Sequence, residues 1–269
     1  AKEQGVNVVL NMFFGPAVNA ARGIAYQVLG KLNGFVSNFQ MAMNPQIIKN
    51  YATGDKVDMY KLVFRGAKLS YILLLTLSLP VAVEAPLVLG IWLKEVPDYT
   101  AIFLRLAILT ALLNTLSNPL IISTHASGKV RDYQIVVGGI SLLTLPIVYV
   151  AFKLGAEPYY AMVIAFAVEF VCHIARLYML VRIMDFPMAK FLKSVTIRVY
   201  IVTILSVVLP VLAYSEINLV VVRFFTVCIL SVLSTLIFGY YLGFNKHDRE
   251  KLREKVVGII KKRFKKNNK

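Results

Sequence analysis

A chain of 269 residues that is 58% hydrophobic and 16% charged, with a mean hydropathy of +0.68, is too apolar for a water-soluble domain of that size, so its solvent is lipid. A formal charge of +16 and a pI near 9.8 would also suit nucleic acid, but no basic motif with interleaved aromatics lies outside the apolar runs, and nucleic acid drops out as a partner. Cys172 and Cys228 both fall inside apolar runs, which leaves neither a disulfide framework nor metal-ligand spacing, and no cofactor is expected.

In chain order, residues 4 to 15 form an apolar run of about twelve residues, half of what a ~30 Å hydrocarbon core requires. The chain opens "AKEQGVNVVLN" without Met, so this run is expected to be the outer half of a span whose beginning is missing, and the chain a fragment. Glu3, Asn7 and Asn11 recur every four residues there and make one polar stripe, beside which Lys2 can pair with Glu3 or face a cavity. Residues 19 to 45 are long enough to cross but hold Arg22, Gln27, Lys31, Asn33, Asn38 and Gln40. Such a helix needs a protein neighbour or a wet cavity along that face.

Six clear spans follow, at 69 to 93, 99 to 122, 133 to 152, 159 to 181, 195 to 214 and 217 to 242, so eight helices are expected in all. The intervening segments 46 to 68, 123 to 132, 182 to 194 and 243 to 269 carry 5, 2, 3 and 11 Lys and Arg, against only Lys94 and Lys153 on the other side. This asymmetry makes the basic side cytoplasmic, the C-terminus included. Beyond residue 244 the tail places Leu252, Val256, Ile259, Ile260 and Phe264 along one stripe among Lys and Arg, which suits a basic amphipathic helix lying on anionic membrane lipid.

"NPQIIKNYATG" at 44 to 54 returns as "NPLIISTHASG" at 118 to 128, with six identities in eleven positions. Both copies end helices that run from outside to inside. Pro45 and Pro119 each remove a backbone hydrogen bond and are expected to bend or loosen their helices as paired hinges, with Asn44 and Asn118 bonding freed carbonyls nearby. Duplicated, bendable helices are a feature of secondary transporters.

Charged residues within the spans are the candidate machinery. Arg22, Tyr26 and Asn33 share one face of the second helix, whereas Lys31 joins Gln27 and Asn38 on nearly the opposite one. Glu169, His173 and Arg176 stand at i, i+4 and i+7, either a proton or cation relay or a self-neutralised triad. Arg105, Arg198 and Arg223 lie near the span ends, where snorkelling accounts for them, and Glu84, followed by Pro86, reads as a helix break or as a structural partner for an arginine. No Gly-rich phosphate loop and no readable catalytic constellation occurs, so no enzyme is expected.

"FFGPAVNAARGIAYQV", "VSNFQMAMNPQIIKNYATGD" and "WLKEVPDYTAIF" resemble bacterial polysaccharide and O-antigen flippases. These are the Wzx-type oligosaccharide flippases of the multidrug/oligosaccharidyl-lipid/polysaccharide exporter superfamily. The resemblance implies an all-α polytopic bundle in which residues 1–183 form the second six-helix lobe of a two-lobe transporter, 184–243 two additional helices and 244–269 the cytoplasmic tail. The missing N-terminal lobe would be its partner. It implies a bacterial inner-membrane protein that turns undecaprenyl-pyrophosphate-linked oligosaccharide over between leaflets, with basic residues in a central cavity holding the pyrophosphate. On that reading Lys2, twelve residues or about 18 Å below the outer end of the first span, sits near the membrane midplane. Arg22, Lys2, Asn7, Asn11, Asn33 and Lys31 become substrate-binding candidates, and Glu169, His173 and Arg176 coupling candidates. The alternative is a drug/cation antiporter of the same superfamily, which needs unpaired Asp or Glu where a flippase needs Arg and Lys. A membrane glycan polymerase would need a large outer loop, and the outer loops here are only about four to seven residues long.

Overall fold

The computed structural model describes residues 2–244, in which helices α1 (Lys2–Ala52), α2 (Lys56–Val83), α3 (Ala85–Trp92), α4 (Thr100–Ala126), α5 (Val130–Leu142) and α6 (Thr144–Lys153) are followed by α7 (Tyr160–Met184), α8 (Met188–Phe191), α9 (Ile197–Glu216) and α10 (Val220–Phe238). From residue 245 onward the expected basic tail lies outside the described residues. No strand occurs among the described residues, and seven helical stretches are long and apolar enough to cross a bilayer, so the chain is an all-α polytopic membrane bundle.

Both of the first two expected helices are present: they are the two arms of α1, counted as one stretch because they meet without a loop at Gly15. Its backbone there (φ 79°, ψ 179°) lies in a region that only glycine occupies without strain, and Pro16 then opens the second arm with a φ already set for helix. The bend is a reversal. Arg22 bonds to Asn7 and Glu3, whereas the 15 residues from 7 to 22 would span about 22 Å in a straight helix. The arm 2–14 therefore folds back along the arm 16–52.

Two expected single spans are likewise broken. The third divides at Glu84 (φ −92°, ψ 29°), with Pro86 in the first turn of α3, and the fifth divides at Leu143, just before Pro146. Pro45 and Pro119, by contrast, lie inside helices that run on through them.

α4 occupies the middle of the bundle, between α1, α2 and α7. Its buried Phe103, Leu104, Ala107, Ile108, Ala111, Leu112, Leu116 and Leu120 go round much of its circumference, the pattern of a helix with neighbours on several sides. The last two crossings pack back on α2. Ser231, Thr235, Gly239 and Gly243 recur every four residues and make a smooth stripe on α10 and its closing turn, bringing Gly239 and Gly243 against Ile72 of α2. Glu84 pins this contact at the end where α10 begins. Its fully buried carboxylate accepts from Nε and Nη2 of Arg223 at 2.8 and 3.3 Å, so both readings of Glu84, helix break and arginine partner, hold together.

Candidate functional site

The fold-back at Gly15 brings the two polar arms of α1 together and sets both against α7. Arg22 is 5% exposed, and its guanidinium donates to the Asn7 amide oxygen, to the Glu3 carboxylate and, at 3.5 Å, to the Tyr26 hydroxyl. The guanidinium also lies over the Tyr26 ring, 4.6 Å from its centroid, and the Tyr26 hydroxyl in turn approaches Sδ of Met162 on α7 at 3.9 Å.

Two turns further along α7 a second cluster begins. Glu169 takes Lys2 Nζ at 3.5 Å and Arg176 Nη1 at 3.4 Å, and Arg176 Nε donates to the Tyr133 hydroxyl of α5 at 2.8 Å. Lys2 and Glu3 are adjacent in the chain, so the two clusters are one network joining α1, α5 and α7. It contains three cations (Lys2, Arg22, Arg176) and two carboxylates (Glu3, Glu169), a net excess of one positive charge. Opposite charges this close offset much of the desolvation that burial in an apolar bundle imposes.

The remaining sequence candidates are distributed differently. His173 is not part of the α7 triad: its Nδ1 lies 2.8 Å from Ser117 Oγ on α4 and its Nε2 is buried without a partner. Helical geometry accounts for this, since Arg176 lies only about 20° from Glu169 around the axis while His173 is displaced about 40° to the other side, toward α4. Asn11 is exposed on the short arm, and Asn33 is half-buried with its carbonyl taken by Ser37 Oγ at 2.5 Å. Lys31, with Gln27 and Asn38, is exposed on the face of α1 away from Arg22.

At the second hinge candidate, Asn118 does not close on its own helix. Its Nδ2 donates to Gln40 Oε1 of α1 at 2.9 Å, and Gln40 Nε2 donates to the Thr115 carbonyl at 3.2 Å. That carbonyl is the one left without a helical donor by Pro119. Tyr133, Met162, Ser117 and Gln40 are the participants that sequence reasoning misses as site residues. Only Gln40 carried a legible signal, a carboxamide in an apolar span five residues before a proline. Among the described residues no three His, Cys, Asp or Glu side chains gather as a metal cage.

Comparison with protein-family models, with curated proteins and with solved structures finds no match to this chain.

Proposed function

We propose that this chain acts as one lobe of a transporter that moves an anionic lipid-linked oligosaccharide, its lipid ending in pyrophosphate, between the leaflets of a bacterial inner membrane. The supporting observation is the charge balance inside the spans. Of the ten charged residues read there, Glu3, Glu84 and Glu169 are the only acids, and each is held by an arginine. No in-span carboxylate is left unpaired for a cationic drug, which weighs against the antiporter reading, while the basic residues outnumber the acids. The polar face of α1 adds weight. Gly23, Gln27, Lys31 and Asn38 are exposed on a membrane-length helix, a face that hydrocarbon does not tolerate and that a second lobe or a water-filled cavity does.

Arg22 is the proposed pyrophosphate ligand, and its surroundings suggest how it is kept ready. Glu3, its counter-ion, is 61% exposed while Arg22 is buried, so an incoming phosphate can take the place of the Glu3 carboxylate without uncovering a bare guanidinium. A guanidinium binds phosphate oxygens in pairs, which an ammonium cannot do. The network's extra positive charge favours the exchange.

The test is export in the complete two-lobe protein, measured as surface glycan per folded transporter. Losing one desolvated charge-assisted contact costs about 1.5 to 3 kcal/mol, so Arg22→Ala should reduce export roughly ten- to a hundred-fold and Arg22→Lys should recover only part of it. Normal export per folded molecule in Arg22→Ala, with only the amount of folded protein reduced, would leave Arg22 a structural residue and remove the ligand role.

A further inference from the structure

Away from the charged network, a cavity of about 310 Å³ lies between α2, α4 and α9 at the end of the bundle where α4 begins. Its walls are hydrocarbon, from Leu75, Leu79, Leu112 and Val207, and its rim residues Leu109 and Val211 are exposed on the outside of the bundle. Four polar side chains break this pattern, Ser78, Arg105, Thr203 and Tyr214, of which Thr203 is already bonded to the Tyr71 hydroxyl and the Val199 carbonyl. Arg105 stands at the mouth, with Nε donating to the Ala82 carbonyl at 2.9 Å and Nη2 to the Val83 carbonyl at 3.4 Å, and among the described residues Nη1 has no acceptor and no carboxylate pairs with the guanidinium. Its neighbour at the rim, Tyr214, carries the guanidinium of Arg223 over its ring at 4.6 Å, but that cation is already neutralised by Glu84. Ser78, part of the cavity wall, is fully buried and its Oγ has no partner.

The dimensions identify the kind of occupant. From Val83 to Leu75 is eight residues of α2, from Arg105 to Leu112 seven of α4 and from Thr203 to Tyr214 eleven of α9, roughly 10 to 16 Å of depth, about half of a ~30 Å hydrocarbon core. The cavity therefore belongs to one leaflet. Ser78 sits five residues, about 7 Å, below the carbonyl that Arg105 holds, the level of an ester carbonyl beneath a headgroup phosphate. We propose that this is a binding site for one anionic glycerophospholipid of the leaflet at the Arg105 end, with its phosphate on Arg105 Nη1, an ester carbonyl accepting from Ser78 Oγ, and one acyl chain in the cavity. A polyprenyl phosphate offers the same anion, but it has no ester carbonyl for Ser78 Oγ at that level. The site is independent of the substrate proposed above.

The full chain, purified in mild detergent, is equilibrated with phosphatidylglycerol, phosphatidylethanolamine, ether-linked phosphatidylglycerol or undecaprenyl phosphate, and bound lipid is counted by native mass spectrometry. Wild type should retain one phosphatidylglycerol in preference to phosphatidylethanolamine. Arg105→Gln should lower that preference about ten-fold, the loss of one charge-assisted contact. Ser78→Ala should weaken the ester lipid and leave the ether lipid unchanged, and Ala82→Trp, which fills the mouth, should abolish retention of both. An undiminished preference for phosphatidylglycerol in Arg105→Gln would overturn the assignment, and so would undecaprenyl phosphate displacing phosphatidylglycerol from wild type. Should Ala82→Trp fail to fold, the arginine and ether-lipid arms decide the matter without it.

Discussion

One missing hydrogen atom at Pro119 organises the contact between α1 and α4. A helix donates from each N–H to the carbonyl four residues earlier, so proline at 119 strands the Thr115 carbonyl, which is buried with its residue. Gln40 supplies the donor from the neighbouring helix and receives Asn118 on its own oxygen, so both ends of one amide are used and Gln40 is left only 8% exposed. The counterpart of Gln40 in the second copy of the repeated phrase, 74 residues on, is Asn114, again a carboxamide five residues before the proline. Replacing Gln40 by Leu leaves the Thr115 carbonyl unbonded, at a cost of about 1 to 3 kcal/mol. Pro119→Ala restores the local N–H, so the same Gln40→Leu change should cost less in that background, where only the bond from Asn118 is lost. A double-mutant cycle read by thermal unfolding in detergent checks this, and equal penalties in both backgrounds would mean that Gln40 does not stand in for the lost bond.

At the scale of whole elements, the bends fall where one residue's backbone demands them and not simply where proline occurs. Pro45 and Pro119, read in the sequence as points where a helix bends or loosens, lie within helices that continue through them, and at Pro119 a neighbour satisfies the freed carbonyl. The reversal near Gly15 is legible as two spans of opposite direction on either side of Gly15-Pro16, whereas nothing local reveals that one glycine makes the turn without a loop or that Arg22 bonds to Glu3. The polar stripe of the first arm and the Arg22 face of the second were legible from helical periodicity, and two antiparallel spans set them side by side, but which side chains bond across them depends on packing that periodicity does not contain. The same limit explains Tyr133 and Met162, ordinary residues of apolar helices until α5 and α7 are placed beside α1. Gly15→Ala puts a side chain into a conformation that costs of order 1 to 3 kcal/mol, so the arms should open. Spin labels at Gln4 and Gln27, both exposed, should lie close in the wild type and move toward the roughly 35 Å of a straight helix of that length in Gly15→Ala. An unchanged distance would show that packing of the arm 2–14 on α6 and α7, not the glycine, holds the reversal.

For the molecule as a whole, composition and hydropathy sufficed for the all-α membrane bundle, because lipid leaves helices as the only unbroken way for these apolar runs to satisfy their backbone. Direction is a separate matter. Short connections alternate the crossings, so the turns near Thr53, Ser127 and Asp185 share one side and those near Asp98, Glu157 and Ile217 the other, but helix packing alone is indifferent to which side meets the cytoplasm. The Lys and Arg distribution breaks that symmetry: even without the tail the first side carries 10 basic residues against Lys94 and Lys153. Positive residues resist translocation, so the first side is expected to be cytoplasmic. Single cysteines at Thr53, Asp98 and Glu157 in a Cys172→Ser, Cys228→Ser background test this directly in intact cells with a membrane-impermeant thiol reagent. Asp98 and Glu157 should label and Thr53 should label only after the cells are opened. The opposite pattern would invert the bundle, putting Arg105 and its cavity in the cytoplasmic leaflet, and labelling of all three in intact cells would mean that the chain does not cross the membrane in the order its helices describe.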